Sequence, residues 1–253
     1  MNYEIKELFT GKKHDYCIGI PVLNEGEKIK DQLKKMQELG LDKIADIIIF
    51  DGDSKDGCVN EEFLKEVGVK TLLINKGDGK QGEQFRMGFR YVIEQNYKGV
   101  VTIDGNNKDS VENIPDFIEK LEEGYGFVQS SRFVTGGKHE NTPFLRWFAV
   151  RFIHSPWISL LAGKLYTDTT SAFRGISTAL LKDEKLNLFR EIFVAYELLF
   201  YMSVKAPKLG YHSIEIPVTR SYPKTGKTPT KISFKDNFKI IAELVKLTFG
   251  KYD

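Results

Sequence analysis

A chain of 253 residues with 41% hydrophobic and 28% charged side chains is long enough to bury a full core and too apolar for intrinsic disorder. Lys and Arg number 37 against 35 Asp and Glu, a net charge of +2, which argues against general nucleic-acid binding and leaves partners to be read from local patches. Cys17 and Cys58 lack a CxxC spacing, and Cys17 lies in an apolar run; reduced thiols and a cytoplasmic setting follow as the expectation.

Met1 to Lys13 mixes charged and polar residues without the apolar centre of a signal peptide. Tyr16 to Pro21, Asp46 to Phe50, Lys70 to Ile74 and Gly99 to Ile103 are short, nearly continuous apolar runs and read as strands buried on both faces. Between or after them, Ile29, Leu33 and Met36, then Phe85, Phe89 and Val92, then Ile114, Phe117, Ile118 and Leu121 repeat at helical spacing. Alternating strands and helices predict an α/β fold with a mostly parallel sheet flanked by helices. Ligands of such sheets bind beyond the carboxyl ends of the strands, and the polar clusters fall there.

After Ser131 come a Gly-containing loop over Thr135 to Lys138 and a long apolar stretch, Phe144 to Leu165. Arg146, Arg151, His154 and Lys164 interrupt the stretch, which predicts an amphipathic segment rather than a span of ~20 apolar residues. A polar segment from Thr167 to Ser177, a helix from Glu191 to Lys205 and a strand from Ser213 to Pro217 follow. From Arg220 to Lys239 six basic residues face one acid, Asp236. An amphipathic helix through Phe238, Ile241, Leu244 and Val245 closes the chain. No linker divides it, so one domain is expected, in three parts: residues 1–110, residues 111–219, and residues 220–253 as a basic loop and terminal helix.

The first strand ends in Pro21-Val22-Leu23-Asn24-Glu25 and the second in Asp51-Gly52-Asp53-Ser54-Lys55-Asp56-Gly57; either alone reads as an Asx-rich turn with helix caps. Gly77 to Gly82, which includes Lys80, precedes a helix whose N-terminus can approach phosphate. The fourth strand ends in Asp104-Gly105-Asn106, where an acid and a second oxygen ligand two residues on suit a hard divalent cation that also holds a diphosphate. Ser131-Arg132-Phe133 and Asp168 to Gly175 each set an arginine beside small or polar residues.

In this order the motifs resemble those of family 2 glycosyltransferases of the GT-A fold, most closely the polyprenyl-phosphate branch typified by dolichol-phosphate mannosyltransferase, over essentially the whole chain. The family's Pro-x-x-Asn-Glu matches Pro21, Asn24 and Glu25. Its Asp-Asp-Gly-Ser-x-Asp-Gly matches Asp51 to Gly57, with the middle pair transposed to Gly52-Asp53. Its Asp-x-Asp metal motif matches Asp104, with Asn106 in the second acidic place, and its Ser-Arg-Tyr resembles Ser131-Arg132-Phe133. Its Asp-x-x-Ser-Gly-Phe-Arg resembles Asp168 with Ser171-Ala172-Phe173-Arg174, and Glu215 to Val218 with Arg220 and Lys231-Ile232 resembles its late segment.

The resemblance implies an inverting transferase that uses a nucleotide diphosphate sugar donor and a divalent cation, Mg²⁺ or Mn²⁺, at Asp104 and Asn106. It implies a nucleotide-binding half in residues 1–110 and an acceptor half in residues 111–219, with nucleotide-sugar contacts at Pro21, Asn24, Glu25, Asp51, Asp53, Lys80, Asp104 and Arg132. Phosphate or acceptor contacts fall to Arg132, Arg174, Arg220 and Lys231, and the acceptor is polyprenyl-linked or a glycan. A phosphate acceptor needs no general base, whereas a sugar hydroxyl needs a positioned carboxylate; Asp168 and Glu197 are the candidates beside Asp104.

The aromatic 144–165 stretch and the basic 220–239 segment suit a peripheral site on an anionic membrane face; a core helix or an oligomer surface is the other reading of the first. Competing classes are a capsule or polysaccharide transferase acting on a hydroxyl, and a nucleotide-sugar-binding protein in which Asn106 marks lost catalysis. A nucleotidyltransferase is disfavoured, because Val22-Leu23-Asn24-Glu25 stands where its glycine-rich turn belongs.

Overall fold

The apolar runs of the first half become parallel strands in the order the alternation implies. The computed structural model describes residues 2–77, 80–224 and 234–252, with residues 234–238 as backbone only. In chain order its elements are β1 (Tyr3–Glu7), β2 (Tyr16–Val22), α1 (Glu27–Glu38), β3 (Asp46–Asp51), α2 (Glu61–Glu66), β4 (Val69–Asn75), α3 (Gln81–Glu94), β5 (Gly99–Thr102), α4 (Ile114–Glu122) and β6 (Phe127–Ser131). Then come β7 (Lys138–Glu140), α5 (Phe144–Ala149), a π-helical turn (Val150–His154), α6 (Ser155–Ala162), β8 (Arg174–Ser177), α7 (Thr178–Lys182), α8 (Glu197–Lys208), β9 (Ser213–Pro217), β10 (Thr219–Ser221) and α9 (Phe234–Thr248).

Eight strands form one sheet in the order β1-β4-β3-β2-β5-β8-β6-β9. The strands β4, β3, β2 and β5 run parallel, as do β6 and β9, while β1 and β8 are antiparallel to their neighbours. The two antiparallel strands escape a reading by apolar runs: β1 is a half-exposed edge, and β8 is a short Arg-Gly-Ile-Ser segment. Side chains alternate between the faces. In β3, Ile48 and Phe50 enter one core with Phe85 and Phe89 of α3, while Ile47 and Ile49 enter the other with Ile29 and Leu33 of α1.

Phe50 shows how closely α3 meets the sheet. A Cβ on Gly19 would lie 2.4 Å from the Phe50 ring, and one on Gly88 would lie 2.2 Å from it. Both glycines are therefore required by packing rather than by turn geometry.

Residues 144–162 run as one helical stretch with a π-helical turn inside it, which leaves His154 buried and Phe152 and Ile153 exposed. The helix expected from Glu191 begins at Glu197, whose Oε1 accepts the backbone N–H groups of Val194 and Ala195 and holds a turn there. Among the described residues no helix is long and apolar enough to cross a membrane. The 225–233 part of the basic segment, including Lys231, lies outside the described residues.

Candidate active site

The loops after β2 and β3 are stitched to each other. Asn24 and Asp53 both take positive φ, 49° and 67°, a region that Asn and Asp tolerate better than most residues. Asn24 N donates to Ser54 Oγ at 2.9 Å, Lys55 N returns to Asn24 Oδ1 at 2.8 Å, and Gly26 N donates to Asp56 Oδ2 at 2.8 Å. Asp51 is buried and accepts from Ser54 Oγ at 2.6 Å; burial pushes its carboxyl above the usual range.

Gln84 on α3 explains the transposed Gly52-Asp53. Its Nε2 donates to Val22 O at 2.7 Å and to Phe50 O at 2.9 Å, tying the ends of β2 and β3 together. A Cβ on residue 52 would lie 2.9 Å from that nitrogen, so a side chain there would press on this bridge. Asp53 then pairs with Lys55 and Lys76.

The loop after β5 carries the third cluster. Gly105 packs under the β2 end, where a Cβ would lie 3.0 Å from Val22 and 3.2 Å from Pro21 O. Asp104 Oδ1 accepts from Gln81 Nε2 at 3.0 Å, and Asp104 Oδ2 lies 3.4 Å from Asn106 Nδ2 and 3.5 Å from an Arg220 guanidinium nitrogen. Arg220 also bonds Asp109, a carboxylate out of solvent contact. Backbone bonds bring Arg220 there: Ser110 N to Thr219 O at 2.9 Å and Ser221 N to Lys108 O at 2.8 Å. Burial opposes the Arg220 charge, but Asp109 and Asp104 hold its pKa above the ordinary value; burial raises Asp109.

Arg132 follows β6 and meets Asp168 through Nε–Oδ2 at 2.6 Å and Nη2–Oδ1 at 3.1 Å, with Thr170 Oγ1 3.1 Å from Nη2. The 167–168 backbone is fixed in turn by Glu215, whose carboxylate accepts from Thr167 N and Asp168 N at 2.8 and 2.9 Å. Burial alone would raise Asp168, yet Arg132 and Thr170 hold it below its ordinary value. Phe133 lies between the Arg132 and Arg151 guanidiniums, 5.2 and 5.3 Å from its ring centre.

Tyr222, just past β10, collects the remaining cations. Its hydroxyl accepts from Arg146 at 3.0 Å, and Lys108, Arg146 and Arg220 all stand within 6 Å of its ring. Burial would raise this phenol, but Arg220, Arg146 and Arg132 pull it below its ordinary value.

The structure thus groups Asn24, Asp51 and Asp53 on one side, and Asp104, Asn106 and Arg220 with Arg132 and Asp168 on the other. Pro21 is buried in β2 and Glu25 pairs with Lys28. Lys80 is exposed at the N-terminus of α3.

Two expected site residues have other tasks. Arg174 is fully buried and gives its donors to the carbonyls of Thr169, Ser171 and Leu199; burial pulls its guanidinium down to about 9. It braces the Asp168 loop instead of meeting an acceptor phosphate. Glu197, expected as a catalytic acid, holds the turn at Val194 and Ala195, and that turn packs on Gly82 with Gly82 N bonded to Val194 O at 3.0 Å. Asp168, the other expected base, is a partner of Arg132.

Gln81, Gln84, Lys108, Asp109 and Tyr222 were not singled out by sequence reasoning. Lys108 and Asp109 had one available signal, their place in the loop that carries Asp104. The two glutamines sit on a helix whose apolar face gave no hint of them.

Among the described residues no three His, Cys, Asp or Glu side chains cluster as a protein-only site. Asn106 Oδ1, however, is a buried oxygen without a hydrogen-bond partner, two residues from the Asp104 carboxylate. One carboxylate and one free amide oxygen, completed by diphosphate oxygens, fit the oxygen shell of Mg²⁺ or Mn²⁺.

No protein-family model matches the chain. It is 25% identical over 203 residues to the undecaprenyl-phosphate mannosyltransferase of Micrococcus luteus, covering 79% of this chain and 81% of that protein. It is 25% identical over 233 residues to the dolichol-phosphate mannosyltransferase of Pyrococcus furiosus, covering 90% of this chain and 62% of that one. A crystal structure of glucosyl-3-phosphoglycerate synthase from Mycobacterium tuberculosis, in complex with Mn²⁺, UDP and phosphoglyceric acid, superposes with a TM-score of 0.64 at 16% identity over 93% of this chain and 78% of that one; this likeness shows the fold. The chain is a glycosyltransferase of the GT-A fold. Its sequence is similar over most of its length to these undecaprenyl-phosphate and dolichol-phosphate mannosyltransferases.

Proposed function

We propose that the protein transfers a sugar from a nucleotide diphosphate donor to the phosphate of a polyprenyl phosphate, with inversion at the anomeric carbon. The observation that carries this reading is the set of cations at Tyr222, whose hydroxyl accepts from Arg146 and whose ring has Lys108, Arg146 and Arg220 within 6 Å. Such a surround suits an anionic acceptor. Asp168, the expected base for a hydroxyl acceptor, is bound to Arg132 on both oxygens and serves as a positioning residue.

In this account the loops at Asn24, Asp51 and Asp53 hold the nucleoside, and residues 1–110 form the donor side. Asp104 and Asn106 hold the cation, which when bound neutralises charge gathering on the leaving diphosphate. Arg220 sits beside Asp104, ready to meet the same charge. A phosphate monoester, with its second pKa near ~6, is already dianionic at neutral pH and attacks without a base. Its oxygen forms the bond to the anomeric carbon from the face opposite the diphosphate. The carbon–oxygen bond to the donor breaks, and its electron pair leaves on the diphosphate. Residues 111–219 form the acceptor side.

The reading extends to a peripheral place on an anionic membrane face. Phe144, Leu145, Phe148 and Phe152 are exposed on α5 and the π-helical turn, close in sequence to Arg146 and Arg151. Trp157 does not share that exposed face, since its Nε1 donates to Thr248 Oγ1 of α9 at 2.9 Å.

The test is an acceptor comparison with nucleotide diphosphate sugars and Mn²⁺. A polyprenyl phosphate and the corresponding polyprenol are offered in parallel. The phosphate should accept sugar and the alcohol should not; transfer to the alcohol alone would favour the hydroxyl-directed reading, and binding without transfer would favour a nucleotide-sugar-binding protein.

A further inference from the structure

We infer that Arg220 is an internal counter-ion that keeps a bare divalent cation off Asp104, so that the donor enters as its cation–diphosphate chelate. The inference rests on the proposed cation site at Asp104 and Asn106.

Arg220 is fixed at its backbone and divided at its head. Thr219–Ser221 pairs with Lys138–Glu140 on one side, and on the other Ser221 N donates to Lys108 O while Ser110 N of the Asp109 loop donates to Thr219 O. One guanidinium nitrogen closes on Asp109 in the interior, while the other reaches Asp104 Oδ2 at 3.5 Å. The Asp109 contact is the anchor and the Asp104 contact is the looser arm. Gln81 Nε2 occupies Asp104 Oδ1, so both oxygens of the expected ligand are engaged in the free protein.

Charge points the same way. Arg220 and Lys108 balance Asp104 and Asp109, and Lys108 and Arg220 are each only 8% exposed. A bare divalent cation would add two positive charges beside these two buried cations, which is costly. A nucleotide diphosphate sugar carries two phosphate charges, so its chelate with one such cation is neutral and leaves the balance unchanged. On entry of the chelate, Arg220 exchanges Asp104 for a diphosphate oxygen and stays on Asp109. Cation and nucleotide then raise each other's affinity by the same factor.

The test uses the full chain without nucleotide, titrated with MnCl₂ and followed by electron paramagnetic resonance of free Mn²⁺. Removing Arg220 alone strands a buried carboxylate, so the pair is replaced together as R220Q/D109N, which leaves the net charge unchanged. A second variant, R220K, keeps a charge near Asp109 on a side chain without the forked head. Both should bind Mn²⁺ at least tenfold tighter than wild type. Addition of D104N should abolish the gain. If folded R220Q/D109N and R220K bind Mn²⁺ no tighter than wild type while D104N still weakens Mn²⁺ binding with a nucleoside diphosphate present, the counter-ion inference fails and the cation site stands. If D104N leaves Mn²⁺ binding unchanged with a nucleoside diphosphate present, the cation site itself is wrong.

Discussion

Arg132 closes on Asp168 through two nitrogen–oxygen contacts, at 2.6 and 3.1 Å, with both side chains removed from solvent. Removing one partner of such a pair leaves a buried charge uncompensated, so Asp168→Asn should cost about 3 to 5 kcal/mol of stability. Because Asp168 is held below its ordinary value, the pair's contribution is fully present above the unfolded pKa and is lost as pH falls through the folded one. The stability gap between wild type and variant should stay flat from about pH 5 to 8 and close below about pH 4. Urea midpoints across that range check it; a gap that widened on acidification would contradict it.

The same variant separates a positioning role from a general base. Loss of a base costs roughly 10²-fold or more in kcat. If Asp168 only orients Arg132, Asp168→Asn should raise KM for the phosphate acceptor while kcat stays within about tenfold, well short of that loss. Steady-state kinetics with the acceptor varied at saturating donor decide between them.

Asn106 supplies an oxygen without charge. Cation affinity rises with the number of charged ligands, so Asn106→Asp should tighten Mn²⁺ binding about tenfold or more, whereas Asp104→Ala should abolish both cation binding and transfer. Manganese titration and a transfer assay check the two variants; full metal-dependent turnover by Asp104→Ala would remove the motif from the mechanism.

Membrane attachment should depend on Phe144 and Phe152, which are 75% and 58% exposed. Burying one such ring in an apolar phase is worth about 1.5 to 3 kcal/mol, so Phe144→Ser with Phe152→Ser should weaken binding to anionic vesicles at least tenfold without lowering the melting temperature. Raising salt should release the part due to Arg and Lys, screened within ~8 Å at physiological ionic strength. Co-sedimentation at two salt concentrations measures both terms.

Gly88→Ala should destabilise the protein although alanine is the better helix former by about 1 kcal/mol. Its Cβ would lie 2.2 Å from the Phe50 ring, which Gly19 blocks from the other side. Overpacking of this kind costs about 1 to 3 kcal/mol, and urea denaturation reads the sign directly.

What the sequence revealed tracks how each feature is encoded. The four buried parallel strands and the helices on Ile29, Phe85 and Phe117 follow from apolar periodicity, which burial imposes directly. The edge strand β1 and the antiparallel β8 carry no such pattern. At the site, Asn24, Asp51, Asp104 and Arg132 were visible because their motifs lie next to strand ends. Arg174 looked like a ligand for the same reason, since nothing local distinguishes an exposed arginine from one whose donors reach carbonyls at 169, 171 and 199. Tyr222, Lys108 and Asp109 become meaningful only once β10 pairs with β7 and Ser110 and Ser221 link its ends to the 108–110 loop.

The central claim, that the sugar joins a phosphate oxygen, is tested most directly by phosphorus NMR of the acceptor during turnover with a nucleotide diphosphate sugar and Mn²⁺. The phosphomonoester resonance of the polyprenyl phosphate should give way to a phosphodiester resonance, with one nucleoside diphosphate released per diester formed. A phosphomonoester signal that persists while the sugar is transferred elsewhere, or while the donor is merely hydrolysed, would contradict the account.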